Sequence, residues 1–198
     1  MTKTLIRFFD IVFSVFGLII LFPFFLILSV FILVDSKGGV FFLQQRVGKG
    51  GKDFRLWKFR TMYPDSEKHG QITVGAHDNR ITSPGKFLRK YKLDELPQLI
   101  NVLSGEMSLV GPRPEVRKYV NIYSEEQKKV LGTKPGITDY ASIEYSDESE
   151  LLSRSQDPLK TYVEEIMPAK IMLNMKYIKN PSLKNYFRII LLTVRKLF

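Results

Sequence analysis

Two adjacent carboxylates, Asp94 and Glu95, stand within Leu93-Asp94-Glu95-Leu96-Pro97-Gln98-Leu99, at the head of an apolar helical run. A basic stretch precedes them, with Arg80, Lys86, Arg89, Lys90 and Lys92, and Arg113 follows, held between Pro112 and Pro114. Carboxylates ringed by fixed cations are what phosphoryl chemistry requires. The cations offset the charge of substrate phosphates, and a carboxylate attacks or holds a metal. Two prolines fix the arginine backbone and pre-organise its fork for a bidentate anion. A plainer reading stands beside this one. Asp94 would cap a helix over 95–102, Glu95 would be its first-turn acid, and Arg113 would be a turn residue paired with a surface carboxylate.

The neighbouring elements must position these groups. Ser83 as N-cap and Pro84 at the first helical position open a helix carrying Lys86, Arg89 and Lys90. Ser104-Gly105-Glu106 closes the helix after the acid pair. Upstream, Val40-Phe-Phe-Leu43 reads as a short strand and 49–53 as a hairpin tip. The stretch 54–62 alternates imperfectly, with Arg55, Lys58 and Arg60 not all on one face. Cations interleaved with aromatics suit nucleic acid. Beside a membrane segment, Trp57 and its cations read better as facing lipid headgroups. Residues 63–79 read as a polar mobile loop. Downstream, Ser124 to Gln127 is a capping box, and 134–138 is a turn. The run from Asp139 to Glu165 carries eight acids against Arg154 and Lys160, and reads as a solvated face. Pro168 opens a helix whose Ile171, Met172, Met175 and Ile178 form a core stripe, and 185–198 is an amphipathic helix.

From Ile11 to Val34 there are 24 residues without a charge, and 20 of them are Leu, Ile, Val or Phe. As one helix this is about 36 Å long, enough to cross a hydrocarbon core of roughly 30 Å. It is too long for a signal-peptide core, and no small-residue cleavage site follows it. Pro23 lies at its middle and predicts a kink. Lys3 and Arg7 precede the run, while Lys37, Arg46, Lys49 and Lys52 follow it. The positive-inside rule pulls both ends to the cytoplasmic side, so the reading favours a re-entrant hairpin bent at Pro23.

Composition sets the outer limits. The 198 residues are enough for one domain with a real core. Thirty Lys and Arg against 20 Asp and Glu give a formal charge of +10, which favours anionic partners. There is no cysteine and only two histidines, which excludes a disulfide framework, a thiolate metal site and a histidine-built zinc site. Neither a P-loop nor a dinucleotide-binding glycine fingerprint is present.

Taken together, the motifs resemble the bacterial sugar transferase family, the small monotopic phosphoglycosyl transferases. The matching stretches are Lys58-Phe59-Arg60-Thr61-Met62, Arg80-Ile81-Thr82, Phe87-Leu88-Arg89-Lys90, and Leu93 to Leu99 continuing into Asn101-Val102-Leu103. Gly105-Glu106-Met107-Ser108-Leu109-Val110-Gly111-Pro112-Arg113-Pro114 and Lys134-Pro135-Gly136-Ile137-Thr138 complete them. The resemblance implies transfer of a phosphosugar from a UDP-sugar to undecaprenyl phosphate, with release of UMP and a requirement for Mg2+. Asp94 would be the nucleophile, passing through an aspartyl-phosphosugar intermediate. Glu95 would assist, or hold the metal with Asp94. Arg89 and Arg113 would bind phosphate, with Lys58 and Arg60 as further candidates. The implied fold is α+β and mostly helical. Residues 1–36 would form a re-entrant membrane helix in the cytoplasmic leaflet of the bacterial inner membrane. Residues 37–198 would form a cytosolic catalytic domain with interfacial amphipathic helices, and nucleic acid would not be a partner.

Two positions depart from the family pattern. Phe22 precedes the hairpin proline where serine is common. Gly136-Ile-Thr-Asp139-Tyr-Ala-Ser142 stands where Gly-Ile-Thr-Gly-Trp-Ala-Gln is common, which points to a subfamily. The competing reading is a membrane-anchored binding protein for anionic lipid or nucleic acid, resting on the charge and the basic aromatic stretch.

Overall fold

The computed structural model describes residues 2–64, 66 and 78–197. Most of the loop expected at 63–79, including His69 and His77, lies outside the described residues. In chain order the helices are α1 (Thr2–Asp35), α2 (Ser83–Lys90), α3 (Gln98–Ser104), α4 (Arg117–Val120) and α5 (Glu125–Lys128). They continue with α6 (Tyr140–Glu144), α7 (Glu148–Ser153), α8 (Pro158–Thr161), α9 (Met167–Lys179) and α10 (Leu183–Leu197). The strands are β1 (Phe41–Val47), β2 (Asp53–Phe59), β3 (Ser108–Val110) and β4 (Gly136–Thr138).

α1 is 34 residues long, about 51 Å at 1.5 Å per residue, and Pro23 lies inside it with helix on both sides. It is long and apolar enough to cross a membrane, with only 11% of its most apolar window buried. Phe16, Ile19, Ile20, Phe31 and Val34 are among its exposed side chains. Its inward face packs at one end on β3 and α10, and at the other Leu28 and Ile32 meet Phe59 and Leu88.

β1 and β2 form the expected antiparallel hairpin, from Phe41 opposite Phe59 to Val47 opposite Asp53. β3 and β4 pair in parallel. There the two backbones approach so closely that a Cβ on Gly136 would lie 2.1 Å from the Gly111 nitrogen. No side chain fits at that crossing. A second core lies under α9, where Val116, Tyr119, Val120, Leu152, Tyr162, Ile166 and Ile171 pack together.

Several local expectations need correction. Thr82 caps α2, accepting from the Gly85 N–H at 3.0 Å, because Thr82 holds the extended backbone a cap needs and Ser83 is already helical. Asp94 does not cap α3. It sits in a 3-10 turn, Leu93–Glu95, which Lys92 enters with φ 56°. The helix proper starts only at Gln98. Gly105 closes α3 as expected, with φ 90°. The capping box at Ser124 is present. Asp139 is buried rather than solvated, and Glu148 is half-buried, while Glu144, Asp147, Glu150 and Asp157 are exposed. On α9 Ile171, Met175 and Ile178 of the expected stripe pack into the core, joined by Met167, Asn174 and Tyr177, whereas Met172 is 67% exposed.

Candidate functional site

The acid pair owes its placement to the left-handed turn at Lys92, which directs the chain from α2 into the 3-10 turn. Asp94 is only 6% exposed. Asn101, buried in α3, accepts from the Trp57 N–H at 2.9 Å and donates to the Arg55 carbonyl at 2.8 Å. This bond pair fixes α3 against β2, so Lys58 lies beside the acid turn. An asparagine within an apolar helical run is the sequence signal for this attachment.

Two of the expected cations meet at one expected carboxylate, Glu95. Arg113 Nη1 donates to Glu95 Oε2 at 2.9 Å, and its Nη2 donates to Oε1. Lys58 Nζ reaches Oε1 at 3.4 Å. The bidentate anion anticipated for Arg113 is therefore, within this chain, Glu95. Arg89 projects from α2 and donates from Nε to Thr61 Oγ1 at 2.9 Å, and its charge acts on Asp94.

Arg60 is not brought to this cluster. Its guanidinium donates to the carbonyls of Ile32, Ser36 and Lys37, at 3.2, 2.7 and 2.7 Å. Lys58 and Arg60 are two apart on an extended chain, but Phe59 and Arg60 turn toward α1 at the end of β2, and the carbonyls at the α1 terminus draw the guanidinium. Pro23 lies on α1, within the apolar segment.

Two further residues hold the arginine arm. Asp139 Oδ2 accepts the Arg113 backbone N–H at 2.8 Å, while Oδ1 caps α6 through the Ser142 N–H at 2.6 Å. Arg46 donates to the Pro114 carbonyl at 3.1 Å and to Glu115 at 3.3 Å. Aspartate is a favoured N-cap type, and that is the local sequence signal for Asp139 at the head of α6. Nothing local in the sequence links Arg46 to Pro114.

The electrostatics separate the two acids. Burial, and then the Glu95 charge, raise the Asp94 carboxyl above its ordinary range. Burial pushes Glu95 upward too, but Arg113 and then Lys58 outweigh it and hold Glu95 well below the ordinary range. Burial lowers Lys58 to about 8 against the pull of Glu95. The Glu95 charge raises Arg113, which stays protonated throughout. The arrangement is a Glu95 carboxylate whose charged form is favoured by two cations, beside an Asp94 carboxylate made more basic by burial.

No group of three or more metal-ligating side chains occurs among the described residues. Two adjacent carboxylates, one already engaged by cations, do not form an all-protein cage. They do fit Mg2+ held chiefly by substrate phosphates with one or two carboxylates added.

The bacterial sugar transferase family model matches residues 1–198. Over 137 residues the chain is 44% identical to the UDP-N-acetylgalactosamine-undecaprenyl-phosphate N-acetylgalactosaminephosphotransferase of Aeromonas hydrophila, covering 68% of this chain and 32% of that protein. It is 35% identical over 197 residues to the undecaprenyl-phosphate glucose phosphotransferase of Komagataeibacter xylinus, covering 96% and 35%. It is 36% identical over 197 residues to the UDP-glucose:undecaprenyl-phosphate glucose-1-phosphate transferase of Klebsiella pneumoniae, covering 96% and 39%. The chain thus spans about a third of the length of these three relatives.

Proposed function

The chain belongs to the bacterial sugar transferase family, and on that premise we propose that it transfers a phosphosugar from a UDP-sugar to undecaprenyl phosphate, releasing UMP. The observation that carries this reading is the buried acid turn in which Arg113 and Lys58 grip Glu95 beside Asp94.

An Asp94 carboxylate oxygen attacks the β-phosphorus of the donor. The bond from that phosphorus to the bridging oxygen breaks, and its electron pair leaves with UMP. A phosphate oxygen of the polyprenyl acceptor then attacks the same phosphorus and expels the Asp94 carboxylate, which regenerates the site. Arg113, Lys58 and Arg89 offset the charge at phosphorus. Glu95 orients Arg113 and Lys58, and with Asp94 it would hold Mg2+. That ion supplies charge neutralisation on the diphosphate when bound.

Residues 1–36 form the membrane anchor in this reading, and 37–198 form the catalytic domain on the cytoplasmic side of the inner membrane. A re-entrant path bent at Pro23 is supported by the charges at both ends of the apolar run. It is also supported by the bonds and packing that join both ends of α1 to the same body, through Arg7 and Asp10 at one end and Ile32 at the other.

The test is nucleotide release from a panel of UDP-sugars with Mg2+, with and without undecaprenyl phosphate. UMP from the wild-type protein and none from a folded, membrane-bound Asp94→Asn variant is the expected result. UDP in place of UMP would mean ordinary glycosyl transfer. Salt-sensitive binding to polyanions with no turnover would favour the binding-protein reading.

A further inference from the structure

α1 is bonded to the body at two places, and both involve charged groups. Near its start, Asp10 is only 2% exposed, immediately ahead of the uncharged run from Ile11 to Val34. Its Oδ1 accepts from Ser108 Oγ at 3.0 Å, the Leu109 N–H at 2.9 Å and the Tyr186 hydroxyl at 3.0 Å. One turn earlier, Arg7 donates to the carbonyls of Val102 at 2.5 Å and Leu103 at 2.9 Å. At the far end Arg60 gathers the Ile32 carbonyl, which also accepts the Ser36 N–H at 3.4 Å, and the Ser36 and Lys37 carbonyls just past the helix end. Gly38, with φ +128°, leaves the space that Arg60 occupies, since a Cβ there would lie 1.9 Å from Nη1.

Each attachment lands on an element that carries or directly adjoins a site residue. Arg7 grips the end of α3, which follows the Asp94–Glu95 turn. Asp10 grips β3, which leads into the Arg113 arm. Arg60 ends the strand that carries Lys58. An apolar side chain at position 10 would suit a lipid-facing helix without the cost of burying a carboxylate. What the carboxylate adds is direction, because three donors from two elements converge on one oxygen.

We infer that Asp10 and Arg60 are positioning residues that hold the two ends of α1 against the body and so fix the depth at which the Asp94 turn meets a bilayer-borne phosphate. The inference rests on the lipid-phosphate acceptor proposed above. Either end released would let the body rock on its anchor. The acceptor, fixed in the bilayer, would then miss the site more often than a freely diffusing donor would.

The chain has no cysteine, so paired spin labels can be placed without background. Two pairs, Leu5→Cys with Glu125→Cys and Val34→Cys with Glu125→Cys, are measured by double electron–electron resonance in phosphatidylglycerol–phosphatidylethanolamine nanodiscs. Asp10→Leu is expected to broaden the first distance distribution only, and Arg60→Leu the second only. Asp10→Asn keeps both narrow, because its amide oxygen takes the same three donors. Should Asp10→Leu fail to fold, Ser108→Ala and Tyr186→Phe each remove one donor and broaden the first pair to a smaller degree. Small misplacements are costly, so the KM for undecaprenyl phosphate should rise about tenfold in the leucine variants while the KM for UDP-sugar changes less than about twofold. Unchanged distances would overturn the attachment role. Broadened distances with an unchanged acceptor KM, or equal losses for both substrates, would overturn the link to depth. A rise confined to the donor KM in Arg60→Leu would return Arg60 to phosphate binding. No transfer by the wild-type protein would sink the proposed function and leave the distances to decide the attachment.

Discussion

Arg113→Ala tests whether the ion pair at the site is structural, chemical or both. The variant leaves Glu95 to Lys58 alone, at 3.4 Å. The Glu95 side chain is 13% exposed and that of Arg113 is 33%, so the pair is largely out of water. Removing one partner of a buried pair costs about 3–5 kcal/mol, because the other charge is stranded. The remaining lysine and the partial exposure of Arg113 place this site at the low end, about 3 kcal/mol. For a chain of this size that is a drop of about 6–12 °C in Tm. Adding Glu95→Gln removes the stranded charge and should restore about 2 kcal/mol, or roughly 4–8 °C. Transfer should not recover with it, since a fixed donor at the developing charge is worth about 100- to 1,000-fold in rate. Thermal unfolding followed through Trp57, with UMP release on the same preparations, reads both quantities. A double variant no more stable than Arg113→Ala would refute the stranded charge. Activity that returned with stability would refute the role of Arg113 at phosphorus.

Lys58, lowered to about 8 by burial, loses its charge as pH rises through that value, so kcat/KM should fall above about pH 8. Lys58→Arg stays protonated and should move that limb upward; an unmoved limb would remove Lys58 from the mechanism. On the acid side, burial raises Asp94 and the Arg89 charge opposes the rise. Arg89→Gln should therefore move the acid limb to higher pH, and a fixed limb would separate Arg89 from Asp94. Gly136→Ala would place a Cβ 2.1 Å from the Gly111 nitrogen. It should cost at least about 2 kcal/mol by overpacking and lower activity through the Arg113 arm. Unchanged Tm in that variant would contradict the close β3–β4 crossing.

Much of the site could be read locally. An acid pair, a proline-bracketed arginine and a long uncharged apolar run are covalent neighbours or short motifs, and their chemistry is carried by residue type. The same holds for the β1–β2 hairpin and the Ser124 capping box, where a few adjacent residues satisfy each other's backbone groups. Local pattern is ambiguous where a residue has two equally local choices. Ser83 and Thr82 are both good caps, and only the backbone conformation selects Thr82. Arg60 has the same charge and nearly the same sequence position as Lys58. The turn toward α1 at the end of β2 separates their fates.

What only the tertiary structure decided is which distant groups satisfy the buried ones. Burial makes pairing obligatory, but many donors in a chain this basic would serve. Sequence type identifies Asp139 as an acid in an acidic run; the fold buries it against the Arg113 N–H. Sequence places Asp10 just ahead of a long apolar run; the fold brings Ser108, Leu109 and Tyr186 to one of its carboxylate oxygens. Residue chemistry therefore pointed to phosphoryl chemistry at an acid pair and fixed the presence of a long apolar helix. Long-range pairing under desolvation decided which cation holds which acid, and how the apolar helix and the site are joined.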